Sequence, residues 1–521
     1  TRCMRKSIVF NSMRALRVSA LFLVPAALTT VQGCTDLSET PTSAITPDNF
    51  YRNSDEVLGG LAAVYAQLRQ TLEGYYNISQ VSTDENVVPT RGQDWYDNGR
   101  WLELHRQTWQ ANSPAGLEDI GGVWNDLFGG VSRANQVLEA MEKTTVPDQE
   151  IIKAELRTLR ALYYFFLTDF FGGIPIVTNT EVKPRAQNTR AEVFKFIEDE
   201  LNAARLVLPD KWPGTGYGRM TKGAANAILA SLYLNAQVMQ GTNTAAGLTK
   251  GTQRWQDAVT AADRVINSGI YSLNPNWKGN FDATNRNSPE NVLVVRFVAQ
   301  DGLGLTIIMR GSHYSQNPSG WNGFATLPET YNAFDPDDAR RSVIRIGQQY
   351  DLDTGLPLKD RAGNPLVFTL NIADVTAANE NEGPRIEKFP RDPARVAQNQ
   401  GTDFPHFRLA EMYLIKAEAM NELGQTAAAV DQINLVRARQ FTPQKPLVAG
   451  AFNQGTLRDQ ILKERLFELL GESKRRQDLI RAGKYTDAFS YKLVTQAYRI
   501  LMPIPQSQIE TNPLLKQNPG Y

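Results

Sequence analysis

Only three histidines occur in the chain, His105, His313 and His406. They lie too far apart to show metal-ligand spacing with one another or with a cysteine. There is no G-x-S-x-G nucleophile elbow and no Walker A loop. Gly214-Thr-Gly216-Tyr-Gly218 lacks the preceding strand that a dinucleotide site needs, and reads as a loop. Asp335-Pro-Asp337-Asp338 and Asp351-Leu-Asp353 offer oxygens to a hard cation, but neither follows the EF-hand pattern. Turn and capping roles account for them more simply. Carboxylates are plentiful, so counting leaves a glycosidase pair open, and no spacing singles one out.

The remaining chemistry is that of binding. Trp95-Tyr96 and Trp101 stand among Asp84, Glu85, Asn86, Arg91, Asp94, Asp97 and Arg100. His313-Tyr314 and Trp321-Asn322 form a second loop of the same character. Planar rings beside amides and charges suit sugar recognition, because a pyranose presents an apolar face to stack and hydroxyls to orient. The competing explanation is that loop tryptophans pin their loops onto helices. Clustering in two separate loops favours a ligand role, with Trp95, Tyr96, Trp101, His313, Tyr314, Trp321 and Asn322 as the candidates.

Lys plus Arg is 55 and Asp plus Glu is 55, a balance that argues against a nucleic-acid partner. At the N-terminus, Arg14 and Arg17 precede an apolar run from Val18 to Leu28. That run is too short for a lasting span, and it marks a signal peptide over 1–33. Val31-Gln32-Gly33-Cys34 resembles a bacterial lipobox, with Gln32 departing from the usual small residue. The other cysteine, Cys3, precedes the first methionine. Cys34 is therefore expected to be the mature chain's first residue and to carry the acyl chains of a membrane anchor. Residues 34–50, rich in Thr and Ser, read as a tether.

The elements that must position the two loops are mostly helical. The organising stretch runs from Gln149 to Thr178. Leu156, Leu159, Tyr163, Phe166 and Phe170 recur at spacings of three and four, and Leu162, Phe165 and Leu167 add apolar groups outside that stripe. Such a helix must be covered on several sides. Arg157, Arg160 and Asp169 within it argue against a transmembrane span. Asn53 and Glu56 have capping-box spacing ahead of a helix marked by Val57, Leu61, Val64, Leu68 and Leu72. Further helices are expected over 123–141, 191–208, 222–238, 255–266, 408–423, 426–439 and within 456–482. Tyr413, Ala417, Leu423, Gly424 and Ala428 follow a tetratricopeptide pattern of paired helices, without a fixed period. Gly74 to Pro114 reads as a long polar segment. Gly269 to His406 is rich in Gly, Pro, Asn and Asp, with a strand-like Val292–Phe297 and a possible hairpin about Asp351–Pro365.

Several stretches, in order along the chain, resemble the SusD/RagB family of outer-membrane nutrient-binding lipoproteins. They are Ser82-Thr83-Asp84-Glu85-Asn86, Trp95-Tyr96-Asp97, Leu159-Arg160-Ala161-Leu162-Tyr163-Tyr164-Phe165, Phe171-Gly172-Gly173-Ile174-Pro175 and Gly218-Arg219-Met220-Thr221-Lys222. Gly320-Trp321-Asn322-Gly323, Arg408-Leu409-Ala410-Glu411, Glu464-Arg465-Leu466-Phe467-Glu468-Leu469, and Pro503-Ile504-Pro505 with Asn512-Pro513 and Asn518-Pro519-Gly520-Tyr521 complete the set. The resemblance implies a mainly α fold, a superhelix of tetratricopeptide-like pairs with a loop-rich half containing a few short strands. It implies one such domain over 51–521, with an N-terminal part to about residue 210 and a C-terminal part from about 211. It further implies a lipid-anchored, surface-exposed outer-membrane protein. Such a protein captures oligosaccharides or peptides for a SusC-like TonB-dependent transporter, without catalysis or cofactor. A protein-binding helical scaffold and a surface glycoside hydrolase are the alternatives.

Overall fold

The computed structural model describes residues 50–521. The signal peptide, Cys34 and all but the last residue of the tether fall outside that range. Asn53 Oδ1 accepts the Glu56 N–H at 3.0 Å and starts α1 (Ser54–Gln67). The Glu56 carboxylate does not return the bond to Asn53 as a capping box would, and accepts the Arg52 N–H at 2.6 Å instead. Within the polar segment that follows lie α2 (Gly74–Val81) and α3 (Arg100–Arg106). These are short helices that composition alone conceals.

Next come α4 (Gly121–Ala140), α5 (Gln149–Phe171) and α6 (Arg190–Ala204). The expected central helix is α5, packed against α1, α4, α6 and α7 (Lys222–Leu234). Leu156, Leu159, Tyr163, Phe166 and Phe170 are buried, and so are Leu162, Phe165 and Leu167 outside the stripe. Its charges find partners inside the layer. Arg160 reaches Glu200 at 2.6 Å and Asn135 at 2.7 Å. Arg157 reaches Glu200 at 3.3 Å, and Asp169 accepts from Arg476 at 2.8 Å. Gly172, at φ 73°, ends α5 in a conformation that costs an L side chain more than glycine. The orphan carbonyls there are met by the C-terminal segment. Met502 N–H donates to the Phe170 carbonyl at 2.7 Å, and Asn518 Nδ2–H to that of Phe171 at 2.9 Å. Among the described residues no helix is long and apolar enough to cross a membrane.

After α7, a break at Asn235 leads to α8 (Ala236–Met239), so the stretch 222–238 is two helices. A small hairpin of β1 (Thr242–Thr244) and β2 (Gly247–Thr249) precedes α9 (Trp255–Ile266), which packs on α7 through Ala258, Ala261 and Ala262. The strand-like run forms β3 (Asn291–Val295). The loop-rich half adds α10 (Ile307–Gly311), α11 (Pro328–Ala333), β4 (Ile344–Arg345), β5 (Gly347–Gln348), β6 (Val367–Phe368) and β7 (Arg385–Ile386). It closes on β8 (Phe404–Arg408). All pairings are antiparallel: β3 with β8, β4 with β7, β5 with β6. The last of these continues through Tyr350–Pro357 and Lys359–Pro365 bridges, in the region where turns suggest a hairpin. Asp335 accepts the Asp337 N–H, and Lys445 reaches both carboxylates at 3.0 and 2.7 Å. Asp351 caps its own turn.

The second helical pair is α12 (Leu409–Glu422) and α13 (Thr426–Arg437), turning at Gly424 with φ 79°. Its small contact residues are Ala417 and Ala429, while Ala428, the neighbour expected there, is half-buried. α12 also lies on α9, which stacks the two pairs. The closing helical stretch is broken in two, α14 (Gln454–Leu469) and α15 (Arg475–Arg481), followed by α16 (Gln506–Thr511).

That break turns backbone carbonyls toward buried charge. Arg408 has no exposed surface. Its Nη1 lies 2.9 Å from Glu290 and 2.7 Å from Glu468, its Nε 2.8 Å from Glu472, and its Nη2 donates to the Glu468 carbonyl at 2.6 Å. Lys388 Nζ donates to the carbonyls of Glu468 and Leu470 at 2.8 and 2.9 Å. Arg340 joins Asp338, Glu464 and Glu468, and Arg439 joins Glu290 and Glu468. Burial opposes ionisation of Glu468, but Arg408, Arg439 and Arg340 outweigh it and hold its carboxyl well below the usual range.

Removing one partner from such a network leaves its counter-charge buried and unpaired. Arg408→Ala is expected to lower unfolding free energy by about 3–5 kcal/mol in a urea titration. A second expectation concerns acid. Burial, reinforced by Lys474, lowers the His406 pKa to about 3, and its ring lies between Phe166 and Phe404. A depressed pKa contributes stability above the unfolded value, about 6.5, that is lost as pH falls toward the folded value. Unfolding free energy should therefore decline from pH 6.5 to 4, and His406→Gln should remove up to one proton, about 1.4 kcal/mol per pH unit, from that slope.

Candidate functional site

The two aromatic loops meet. Val87 and Ala325 exchange backbone hydrogen bonds at 2.8 and 2.9 Å, and Thr326 Oγ1 donates to the Glu85 carbonyl at 2.6 Å. The segment after α2 thus runs beside the segment before α11. Trp95 Nε1–H donates to the Trp321 carbonyl at 2.7 Å. Trp95 stands edge-on to Trp101 of α3, centroids 5.3 Å apart, and both stand edge-on to Phe324 at 6.0 and 5.6 Å. Aromatic edges and faces attract at these spacings.

The last turn of α10 supports the second loop. Its free carbonyls accept from the loop backbone: Met309 from Trp321 at 2.7 Å, and Arg310 from Gly323 and Phe324 at 2.7 and 2.9 Å. The Arg310 side chain then reaches α2, with Nη1 2.6 Å from Asn77 Oδ1 and Nη2 2.9 Å from Glu73. Gly323 is required by the ring above it, since a Cβ there would lie 2.3 Å from the Trp95 indole. Trp95 and Asn322 adopt left-handed backbone, φ 63° and 51°. Such strain, of order 1 kcal/mol or more per residue, persists only where its surroundings hold it.

A cavity of about 470 Å³ opens beside the rings. Trp95, Trp101, Trp321 and Phe324 form its aromatic wall; Asp97, Arg100, Glu118, Asp119 and Asp126 stand on its polar side. Arg100 Nη1 lies 2.9 Å from Glu118 and 3.5 Å from Asp119, and its guanidinium sits 4.7 Å above the Trp101 ring. Asp97 accepts the Trp101 Nε1–H at 2.7 Å. Burial pushes the Asp119 carboxyl up to about 6, partly offset by Arg100. Flat apolar faces beside fixed acceptors and donors suit a ring-shaped ligand bearing hydroxyls.

Of the residues singled out in the sequence, Trp95 and Trp321 line this cavity half-buried, while Trp101 behind them departs from the expectation, 3% exposed and packed into the core. Tyr96 is 58% exposed next to it. The Tyr314 hydroxyl donates to Asp94 at 2.6 Å, and Arg361 stacks on its ring at 4.3 Å. His313 and Asn322 depart from the expectation. They are 1% and 0% exposed and face inward. Asn322 Nδ2–H donates to the Glu380 carbonyl at 2.9 Å, and its Oδ1 accepts from Arg385 at 3.0 Å. His313 Nδ1 accepts the Ser315 N–H at 3.1 Å, and burial lowers the ring's pKa to about 4. Both hold the loop in place. No group of three or more His, Cys, Asp or Glu among the described residues is arranged to hold a metal.

The family model described as "SusD family" matches residues 255–521, just over half of the chain. The chain belongs to the SusD family. A second model, "Starch-binding associating with outer membrane", matches residues 43–234. SusD-like protein P25 of Formosa agariphila is 26% identical over 93% of this chain and 96% of its own length. Starch-binding protein SusD of Bacteroides thetaiotaomicron is 26% identical over 86% of this chain and 85% of its own. A solved laminarin binding SusD-like protein aligns with TM-score 0.71 at 25% identity, covering 90% of this chain and 100% of that one. Surface glycan-binding protein A from B. thetaiotaomicron, in complex with laminarihexaose, shares the fold, with TM-score 0.71 at 21% identity, covering 89% and 99% of the two chains.

In this SusD-family chain Asp97 and Arg100 were in view beside the tryptophans, but the rest of the polar side of the cavity comes from places the sequence does not advertise. Glu118 and Asp119 sit in a single π-helical turn, Gly116–Ile120, before α4. Asp126 is on α4 itself. Gly323→Ala is expected to force Trp95 off its seat. The readout is a shift in tryptophan fluorescence, with a stability loss of about 1–3 kcal/mol by calorimetric melting.

Proposed function

We propose that this SusD-family protein binds oligosaccharides on the Trp95–Trp321 face and delivers them, chemically unchanged, to a SusC-like TonB-dependent transporter of the outer membrane. It does so from a lipid anchor at Cys34. The observation that carries the reading is the meeting of two distant loops, through the Trp95–Trp321 hydrogen bond, beside a cavity that pairs indole faces with carboxylates and a guanidinium. Relatives named for starch and laminarin binding support the same ligand class. So does the laminarihexaose complex of a protein with this fold.

The role of each residue follows from its surroundings. Trp95 and Trp321 offer ring faces, and Asp97, Glu118 and Asp119 offer acceptors for hydroxyls. Arg100 holds that acidic group together and keeps a donor beside it. The buried His313 and Asn322 keep the Trp321 loop rigid, so that binding costs little ordering entropy. Delivery to a barrel asks for release as well as capture, which moderate affinity from a few stacked rings provides.

Calorimetric titration of the protein truncated after Cys34, against neutral oligosaccharides and oligopeptides, tests the reading. Product would be assayed in the same samples. The expected result is oligosaccharide binding without turnover, weakened at least about tenfold, or 1.4 kcal/mol, in Trp95→Ala and Trp321→Ala. Turnover would make the protein a hydrolase. Binding of peptide alone would reassign the cargo.

A further inference from the structure

A groove beside α1 and β3 shares no lining residue with the tryptophan cavity. It consists of two cavities, about 520 and 460 Å³, that meet at Tyr217, Gly218, Arg219 and Val294. The first is mainly apolar. Exposed Leu58, Ala62 and Ala66 of α1 form one wall, and Val294, Val295 and Val298 form the other. The second holds the half-buried rings of Trp212, Tyr217 and Tyr271. The charge of the groove is one-sided. Arg69, Lys211, Arg219, Arg286 and Arg296 line it, against a single carboxylate, Asp210, which Lys222 already holds at 2.9 Å. Buried carboxylates behind the wall meet two of the cations: Glu155 lies 3.1 Å from Arg219 and Asp403 lies 3.3 Å from Arg286. Among the described residues Arg69, Arg296 and Lys211 form no ion pair.

Arg69 and Arg296 are held side by side. Arg69 Nε–H donates to the Arg296 carbonyl at 2.9 Å, and both residues are half-buried. Gly218, at φ 88°, makes room for the second of them, since a Cβ there would lie 2.7 Å from Arg296 Cδ. Burial, and next the neighbouring Arg296 charge, lower the Arg69 pKa. Arg296 Nε is enclosed without a partner, whereas the terminal nitrogens of both groups stay open to the groove. A carboxylate arriving there takes charge-assisted hydrogen bonds from both guanidinium groups and relieves their repulsion. Apolar walls flank that position, and Lys211 and Arg286 repeat the positive charge in the second cavity. We propose that the groove docks an extended acidic segment of a partner protein, in which carboxylate side chains interleave with apolar ones. Its acids meet Arg69, Arg296, Lys211 and Arg286, and its apolar side chains cover Leu58, Ala62 and Ala66. An acidic oligosaccharide suits the groove less well, because the first cavity offers aliphatic groups where sugar hydroxyls need polar partners.

The test is fluorescence anisotropy with labelled eight-residue peptides that alternate Glu with Leu, Val or Phe, and with matched peptides carrying Lys in place of Glu. The protein is the form truncated after Cys34, at neutral pH and low ionic strength. The acidic peptides are expected to bind at least tenfold more tightly than the basic ones, with affinity falling as salt is added. The double variant Arg69→Gln and Arg296→Gln, checked for an unchanged circular dichroism spectrum, should weaken the acidic peptides at least tenfold. Leu58→Glu, at an exposed position, should weaken them at least threefold by adding charge to the apolar wall. Trp95→Ala should leave peptide affinity unchanged, which separates this groove from the proposed glycan face. Absence of acidic-peptide binding, equal binding of the basic peptides, or full affinity in the folded double variant would overturn the proposal. So would uronate oligosaccharides that bind more tightly than the peptides and displace them, since the groove would then take an acidic glycan.

Discussion

Arg408 is an ion with no water, and the fold is arranged around keeping it satisfied. Removing a guanidinium from solvent is costly unless carboxylates and carbonyls replace its hydration almost completely. Here Glu290, Glu468 and Glu472 and a backbone carbonyl do so. Those partners come from opposite ends of the architecture. Glu290 precedes β3 in the loop-rich half, while Glu468 and Glu472 flank the end of α14 in the helical half. Glu468 also binds Arg340, Arg439 and the Trp277 indole. The network therefore does more than neutralise charge. It fixes the register between two halves that share few long elements, and it explains why the chain leaves helical geometry after Leu469. A continuous helix would keep the Glu468 and Leu470 carbonyls for itself, and Lys388 and Arg408 would lose them.

That network also marks the limit of what the sequence discloses. Apolar periodicity located α9 and α12 within a residue or two and found the body of α5, because burying an apolar stripe is what those helices are for. The same reasoning says nothing of how Glu464, Arg465 and Glu468 are buried, since charged residues are rarely buried unless paired. Their partners lie far away along the chain, and pairing at such separations leaves no local trace. The pairing of β3 with β8 was hidden for the same reason, although β3 itself was legible from Val292 to Val295. Short helices such as α2 and α3 escaped because their stability comes from packing and not from propensity.

The candidate site divides along the same line. Indoles in polar loops are conspicuous, so Trp95, Trp101 and Trp321 could be named without a structure. Asn322 and His313 were named for their chemistry, yet backbone geometry turns them inward: a left-handed Asn322 between Trp321 and Gly323 points its amide at Glu380 and Arg385. Apart from Asp97, the acidic side of the cavity was invisible because Glu118, Asp119 and Asp126 belong to a turn and a helix that meet the loops only in space. Residue type announces a binding surface, and topology decides its electrostatic sign.

The closure of α5 by the segment around Met502 and Asn518 bears on how the fold is completed. Met502 and Asn518 terminate a helix formed more than three hundred residues earlier, and Trp109 donates to the Tyr521 hydroxyl at 2.8 Å. A nascent chain that has not yet reached this segment leaves the end of its central helix uncapped and a buried indole unpaired. The end of α5 and the seat of that indole are thus completed only when distant parts of the chain come together, which ties early and late elements into one cooperative unit.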